Sequence, residues 1–299
     1  MDQENNYNDE IDLLELFLIA WKKRLFIATL TSIFAIASVF YALSLPNIYT
    51  SKSLLAPANK EETISSRLGG MSGLAGLAGV NLSQSNASSS DEAIERVKSF
   101  EFFSNYFLPN IKLENLLAVK EWTSETNTIT YDNSLYDVKN KKWIKNNTKP
   151  SDQTAYRQYI NIFGVGVDDE TGFVTFTVDH QSPEIAKKWL DIIIYNINES
   201  MREIDKTNAQ NAINFLNETS SSTSIQSIRE VIGRILETKM QTLMLASTNK
   251  AYVFKVLDSP IVPEIKSGPL RSIICIIGTF IGGVISVLIT FIQHYRKSS

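Results

Sequence analysis

Leu25–Leu45 reads LFIATLTSIFAIASVFYALSL, and Ser272–Gln293 reads SIICIIGTFIGGVISVLITFIQ. Neither stretch holds a charged residue. Each is long enough, as a helix of about 20 residues, to cross a hydrocarbon core of roughly 30 Å. The reading is therefore of a chain that crosses a membrane twice, with most of its length between the crossings. Lys22, Lys23 and Arg24 precede the first run, and Arg296 and Lys297 follow the second. Basic residues near membrane ends favour the cytoplasmic side, so both termini are expected there and the middle outside. Arg271, at the outer edge of the second run, is the one basic residue that opposes this orientation. Ala42-Leu43-Ser44 mimics a signal-cleavage site, but the apolar run exceeds a signal core. The segment before it is also long and acidic, with Asp2, Glu4, Asp9, Glu10, Asp12 and Glu15, so a retained span is expected.

The expected organisation is a cytoplasmic segment 1–24, a span 25–45, an outer domain 46–271, a span 272–293 and a tail 294–299. A formal charge of −3 gives no reason to expect nucleic acid, whose phosphates need a basic patch. Cys275, the one cysteine, lies in the second run, so the outer domain depends on packing or assembly rather than a disulfide. His180 and His294 fall on opposite sides of the membrane in this arrangement and cannot share a metal.

Ahead of the first span, Ile11, Leu14, Phe17, Leu18 and Trp21 recur at helical spacing, a pattern for a short helix on the cytoplasmic surface. Beyond it, Tyr49–Leu55 reads as a strand. The glycine-rich stretch 69–79 and the serine-rich stretch 83–90 read as loop; no Gly-Lys-Ser/Thr follows that would make a phosphate cradle. A helical pattern runs from Asp91 through Ala93, Ile94, Val97, Phe100 and Phe103, with Ser90 or Asp91 as cap. Leu113–Glu121 reads as a second helix, and a hairpin is expected around Asp132-Asn133. Ile160–Val167 and Phe173–His180 alternate as strands, joined by Asp168-Asp169-Glu170-Thr171-Gly172.

Ser182-Pro183-Glu184 combines cap, proline and acid at a helix start. The apolar stripe behind it, Ile185 to Leu216, predicts a helix about 50 Å long at 1.5 Å per residue. A serine/threonine break at 219–224 and a second stripe from Ile225 to Ala246 predict an antiparallel helical hairpin over about 183–247. Ala251–Leu257 is a last strand. The fold expected is thus an α+β membrane protein with two terminal transmembrane helices. Between them the strand and helix order is that of a membrane-proximal, ferredoxin-like α/β base carrying a long helical hairpin outside the membrane.

Three groups of residues in this order resemble the Wzz-type chain-length determinants, or polysaccharide co-polymerases. They are Glu10-Ile11-Asp12-Leu13 with Trp21-Lys22-Lys23-Arg24, then Thr171-Gly172-Phe173-Val174 with His180-Gln181-Ser182-Pro183-Glu184-Ile185-Ala186, and Ala251–Glu264 with Lys266, Pro269 and Arg271. The resemblance implies a protein of the bacterial inner membrane with its main domain periplasmic, assembled as a homo-oligomeric ring. The residues themselves offer no Ser/His/Asp set, metal cluster or carboxylate pair, so no enzymatic activity and no cofactor are expected. Such a protein controls the modal length of a lipid-linked polymer such as O-antigen, beside a separate membrane polymerase. With the chain ending at Ser299, no cytoplasmic kinase domain of the kind found in capsule-exporting relatives is expected. The alternatives kept open are a capsule or exopolysaccharide export adaptor and, from another class, a membrane glycosyltransferase; two spans without intramembrane charge argue against both.

Gly278, Gly282, Ser286 and Thr290 recur every four residues on one face of the second span, a small-residue seam that admits a closely packed helix. Ordinary packing explains it as well as a partner does, and the occupant is the first span with Ser32, Ala35 and Ala42, a neighbouring subunit, or the polymerase. Pro260, Pro263 and Pro269 form a rigid lead-in to that span, or a plain loop that keeps its helix from extending. Trp122, Trp143 and Tyr156, among Tyr131, Tyr136 and Tyr159, offer faces for sugar rings, although such aromatics more commonly pack a small subdomain. Asp168-Asp169-Glu170 lacks the spacing of a calcium loop, and no metal or catalytic set is recognised.

Overall fold

The computed structural model describes residues 21–58, 89–144, 148–223 and 225–298. The expected surface helix before Trp21 and the glycine-rich stretch 69–79 lie outside them. In chain order the elements are helix α1 (Arg24–Ser44), strand β1 (Tyr49–Pro57), helix α2 (Ser89–Val97), helix α3 (Leu113–Leu117), strands β2 (Val119–Thr123), β3 (Thr128–Tyr131), β4 (Tyr136–Asp137) and β5 (Lys142–Trp143), and helix α4 (Asp152–Ile162). There follow strands β6 (Phe163–Val167) and β7 (Val174–His180), helices α5 (Pro183–Ser222) and α6 (Gln226–Thr248), strand β8 (Phe254–Asp258) and helix α7 (Arg271–Ser298). The chain divides into two compact units, Met1–Asn47 with Ser267–Ser299, and Ile48–Lys266. Each is described by itself.

In the larger unit, β1 is central. It pairs antiparallel with β7 on one side and β8 on the other, and β6 pairs antiparallel with β7, giving the order β6-β7-β1-β8. Counted along the chain, the sheet runs second, third, first, fourth strand, with helices in the first-to-second and third-to-fourth connections. The turn between β6 and β7 falls where the sequence places it. The Asp168 carboxylate accepts from the Glu170 and Thr171 amides at 3.0 and 2.8 Å, and Gly172 takes a φ of 68° that a side chain would strain.

Alternation decides which face is covered. Val174, Phe176, Val178 and His180 point inward from β7, and register sets Leu55, Ser53 and Ser51 of β1 opposite the first three. Trp189, Leu190, Ile193 and Ile197, at helical spacing on α5, close over them. Full burial of each such apolar side chain is worth about 1.5–3 kcal/mol. Phe102, Phe103, Phe107 and Tyr159 complete this core, and the Tyr159 hydroxyl donates to the Val97 carbonyl at 2.8 Å.

Four expectations are corrected. The helix from Asp91 does not run on to Phe103: Ser99 breaks it, accepting from the Phe102 amide as an N-cap, and Phe100 is left exposed. Leu113–Glu121 is helical only to Leu117, because Val119, Trp122 and Thr123 pair with Thr128–Tyr131 as β2 and β3. Asp132 does not turn a hairpin; its side chain accepts from Ser134, and the hairpin turns fall at residues 124–127 and 138–141, where Asn127 and Lys141 have φ near +50°. Ile160–Ile162 belong to α4 rather than to a strand, since Ser151 caps that helix by accepting from the Thr154 amide.

Helix α5 runs 40 residues, about 60 Å at 1.5 Å per residue. With α5 ending at Ser222 and α6 starting at Gln226, α6 packs back antiparallel beside it. Past the sheet, the apolar cover is thin. On α6 only Ile232 and Ala246 are buried, while Ile228, Val231, Ile235, Met240, Met244 and Leu245 are exposed, as is Phe215 on α5.

Candidate functional site

In the smaller unit, α1 and α7 pack as an antiparallel pair: Lys23 Nζ donates to Gln293 Oε1 at one end, and Arg271 meets Ala42 and Leu45 at the other. The seam on α7 faces α1. A Cβ built on Gly278 would overlap the Ser38 side chain, and one on Gly282 would overlap Phe34. Ser286 and Thr290 are wholly buried. Ser286 Oγ donates to the Gly283 carbonyl, so Thr31, 3.3 Å away, is the donor to Ser286. Of the three residues proposed from sequence as the opposing face, Ala42 is buried, Ala35 half-buried and Ser32 exposed. The α1 face consists instead of Thr31, Phe34, Ser38 and Ala42, and the first span fills the seam within one chain.

Arg271, the apparent exception to the charge pattern, has a structural task. Its guanidinium donates to the carbonyls of Ala42 and Leu45 at 3.0 and 3.1 Å and to Asn47 Oδ1 at 3.1 Å. The last carbonyls of a helix lack intrahelical partners and carry its negative end, so a cation there caps α1. Both bonds to the helix end come from one planar fork, which a lysine cannot reproduce.

The prolines continue from β8. Proline has no N–H to donate, so the ladder cannot run on through Pro260 and Pro263. The two buried serines of β1 take over: Ser53 Oγ donates to the Asp258 carbonyl at 2.6 Å and Ser51 Oγ to the Ile261 carbonyl at 2.9 Å. Pro260 is buried beside a groove of about 520 Å³ that Tyr195, Asn198, Arg202 and Val256 also line. Pro263 is half-buried, and Pro269 stands two residues before α7.

The candidate sugar-stacking rings fall into separate clusters. Trp122 packs edge-on to Tyr49 at 5.4 Å and its indole N–H donates to Asn127. Trp143 meets Tyr136, which meets Tyr131. Tyr156 lies among Phe100, Phe103 and Tyr159, its hydroxyl donating to the Lys98 carbonyl at 2.6 Å. All three are half-buried, and the structure does not bring them together into one platform. Among the described residues no cluster of three histidines, cysteines or carboxylates exists that could hold a metal.

Two buried polar residues organise the larger unit and were not singled out from sequence for that role. His180 ends β7: its Nδ1 accepts from the Ser182 amide at 2.8 Å, so Nε2 carries the proton and donates to the Asn115 carbonyl at 2.9 Å. Burial holds its pKa below the ordinary histidine range, although both backbone contacts oppose that shift. Trp189 packs edge-on against the ring at 4.8 Å. Asn198 on α5 accepts from both the Val253 and Phe254 amides at 2.9 Å and donates to the Ile194 carbonyl at 3.0 Å, tying β8 to the long helix. An asparagine inside an apolar stripe was the only local signal.

Two helices long and apolar enough to cross a membrane, one before and one after the mixed helix-and-strand unit in the chain, point to a membrane protein with two spans. Residues 9–107 match the Wzz family, described as chain length determinant protein. That stretch contains Glu10–Leu13 and Trp21–Arg24; the resemblance at Thr171–Ala186 and Ala251–Arg271 lies beyond it. Among solved structures, a full-length bacterial polysaccharide co-polymerase is similar at 12% identity and a TM-score of 0.39, over 96% of this chain and 99% of that one. A fragment of WzzB, the polysaccharide co-polymerase from Salmonella Typhimurium, is similar at 12% identity and a TM-score of 0.30, over 74% of this chain and all of the fragment. No curated protein sequence matches the chain.

Proposed function

We propose that this chain regulates the modal length of a lipid-linked surface polysaccharide, O-antigen or a related polymer, without catalysing its synthesis. The observation that carries the reading is the match of residues 9–107 to the chain length determinant family. Around it stand the paired spans and the long helical hairpin. The strand order of the larger unit reads as the split βαβ of a ferredoxin-like base. In this reading α1 and α7 cross the inner membrane with both chain ends in the cytoplasm, and Ile48–Lys266 faces the periplasm. The apolar side chains left open on α6 favour self-association, since exposed apolar area of this kind drives copies together. A ring of copies then acts as a scaffold beside a separate membrane polymerase.

The test is deletion of the gene followed by electrophoresis of the surface polysaccharide. Polymer that is still made and exported but has lost its modal cluster of lengths supports regulation. Loss of all surface polymer with accumulation inside the cell would instead support an export adaptor.

A further inference from the structure

A pocket of about 200 Å³ opens in the larger unit where the end of β7, helix α3 and helix α4 converge. Its polar rim is Asn115 from α3, Gln158 from α4, and Asp179 and Gln181 from the end of β7; Leu116 and Ile162 are among its apolar walls. His180 fixes this arrangement by bonding both the Asn115 carbonyl and the Ser182 amide. Two of the rim groups are already partly engaged. Asn115 Oδ1 accepts from the Tyr131 hydroxyl at 2.6 Å, leaving its NH₂ as donor, and Asp179 Oδ1 accepts from Thr50 at 2.5 Å, leaving Oδ2 as acceptor.

The two glutamines are different. Among the described residues Gln158 has no side-chain hydrogen-bond partner, and Gln181 Oε1 is shut off from solvent without one. Because that oxygen is out of a ligand's reach, Gln181 offers the pocket its NH₂ as a donor. No lysine or arginine lines it, which disfavours a phosphate, a uronate or any other anion. One carboxylate among neutral amides is too few charged oxygens for a calcium site. The rim instead presents carboxamide donors and acceptors with one carboxylate acceptor, above apolar side chains. That is the complement of a ring with several hydroxyls on its edge and C–H groups on its face. At about 30 Å³ per liquid water the space equals six or seven waters, which a single pyranose with its hydroxyls fills.

We propose that this pocket is a subsite for one neutral sugar residue, gripped by Asn115, Gln158, Asp179 and Gln181. Its biological meaning rests on the polysaccharide reading above, with the pocket touching the growing polymer; the binding itself does not. The test uses the full chain purified in a detergent without a sugar headgroup. Saturation-transfer NMR is recorded with free glucose, galactose, mannose, rhamnose and N-acetylglucosamine, and with glucuronate as the charged comparison. At least one neutral sugar should receive saturation, and glucuronate should not. Gln158→Leu and Gln181→Leu remove groups that bond no other described residue, so each variant should melt at or above the parent temperature while sugar affinity falls about five- to tenfold. No saturation of any neutral sugar in the parent would overturn the proposal, as would undiminished binding in both variants or equal binding of glucuronate. None of these outcomes bears on the polysaccharide pattern of the deletion strain, so the subsite and the regulatory function fail separately.

Discussion

Asn198→Leu is the substitution whose cost follows most directly from the geometry. Asn198 is 7% exposed, and its one side-chain oxygen accepts from two backbone amides, those of Val253 and Phe254, 55 and 56 residues away. Leucine fits an apolar stripe but leaves both amides buried without a partner. At about 1–3 kcal/mol for each orphaned group, the loss is roughly 2–6 kcal/mol. For a folding unit of this size, at about 2–4 °C per kcal/mol, that is a fall in melting temperature of about 4–24 °C. The assay is thermal melting of the full chain in detergent together with amide hydrogen exchange. Exchange should quicken at residues 252–258, where β8 is detached from α5, before it quickens in β7. Asn198→Asp keeps an oxygen toward both amides and should retain their protection. A leucine variant with unchanged melting and unchanged protection at Val253 and Phe254 would refute the claim that this side chain fastens β8 to the long helix.

Three further outcomes follow from the same geometry. His180 takes up its proton at a lower pH when folded than in an unfolded chain, where it does so near pH 6.5; the unfolded state therefore binds more protons as pH falls below that value, and stability should fall as pH drops through about 6.5, by at most about 1.4 kcal/mol per pH unit. A series of melts from pH 8 to 5 should show that slope in the parent and lose it in His180→Asn. Gly278→Leu and Gly282→Leu should each drive α7 off Ser38 and Phe34 and lower protease resistance of the membrane-inserted chain, while Gly283→Leu, with open space at its Cβ, should not. Arg271→Lys should lower the melting temperature nearly as much as Arg271→Ala, because the forked contact to the end of α1 is lost in both; full retention by lysine would reduce that contact to simple charge.

What could be read in the sequence was whatever depends on local pattern. The apolar runs gave α1 and α7, the Asp168–Gly172 turn gave β6 and β7, and Ser182-Pro183 gave the start of α5. Helix α4 was missed because its buried face is little more than Ala155 and Tyr159, while Ile160, Ile162 and Val165 imitate a strand. Strand β2 was hidden because Val119–Thr123 declares itself only when paired with Thr128–Tyr131. The polar anchors were harder still. Arg271 looked like a misplaced charge, and no local pattern marks Asn198 or Ser53, because each acts on a backbone group far away in the chain. The seam on α7 was visible as a spacing, but its occupant was not, since glycine spacing specifies a close approach and not the helix that makes it.

The most direct measurement places this chain under an inducible promoter in its own deletion strain and reads the length distribution of the surface polysaccharide as expression rises. A length regulator predicts a modal cluster that appears at a fixed length and grows in intensity with expression, while total polymer stays constant. A distribution that keeps the deletion pattern at full expression, or a total that rises and falls with the chain, would contradict the account.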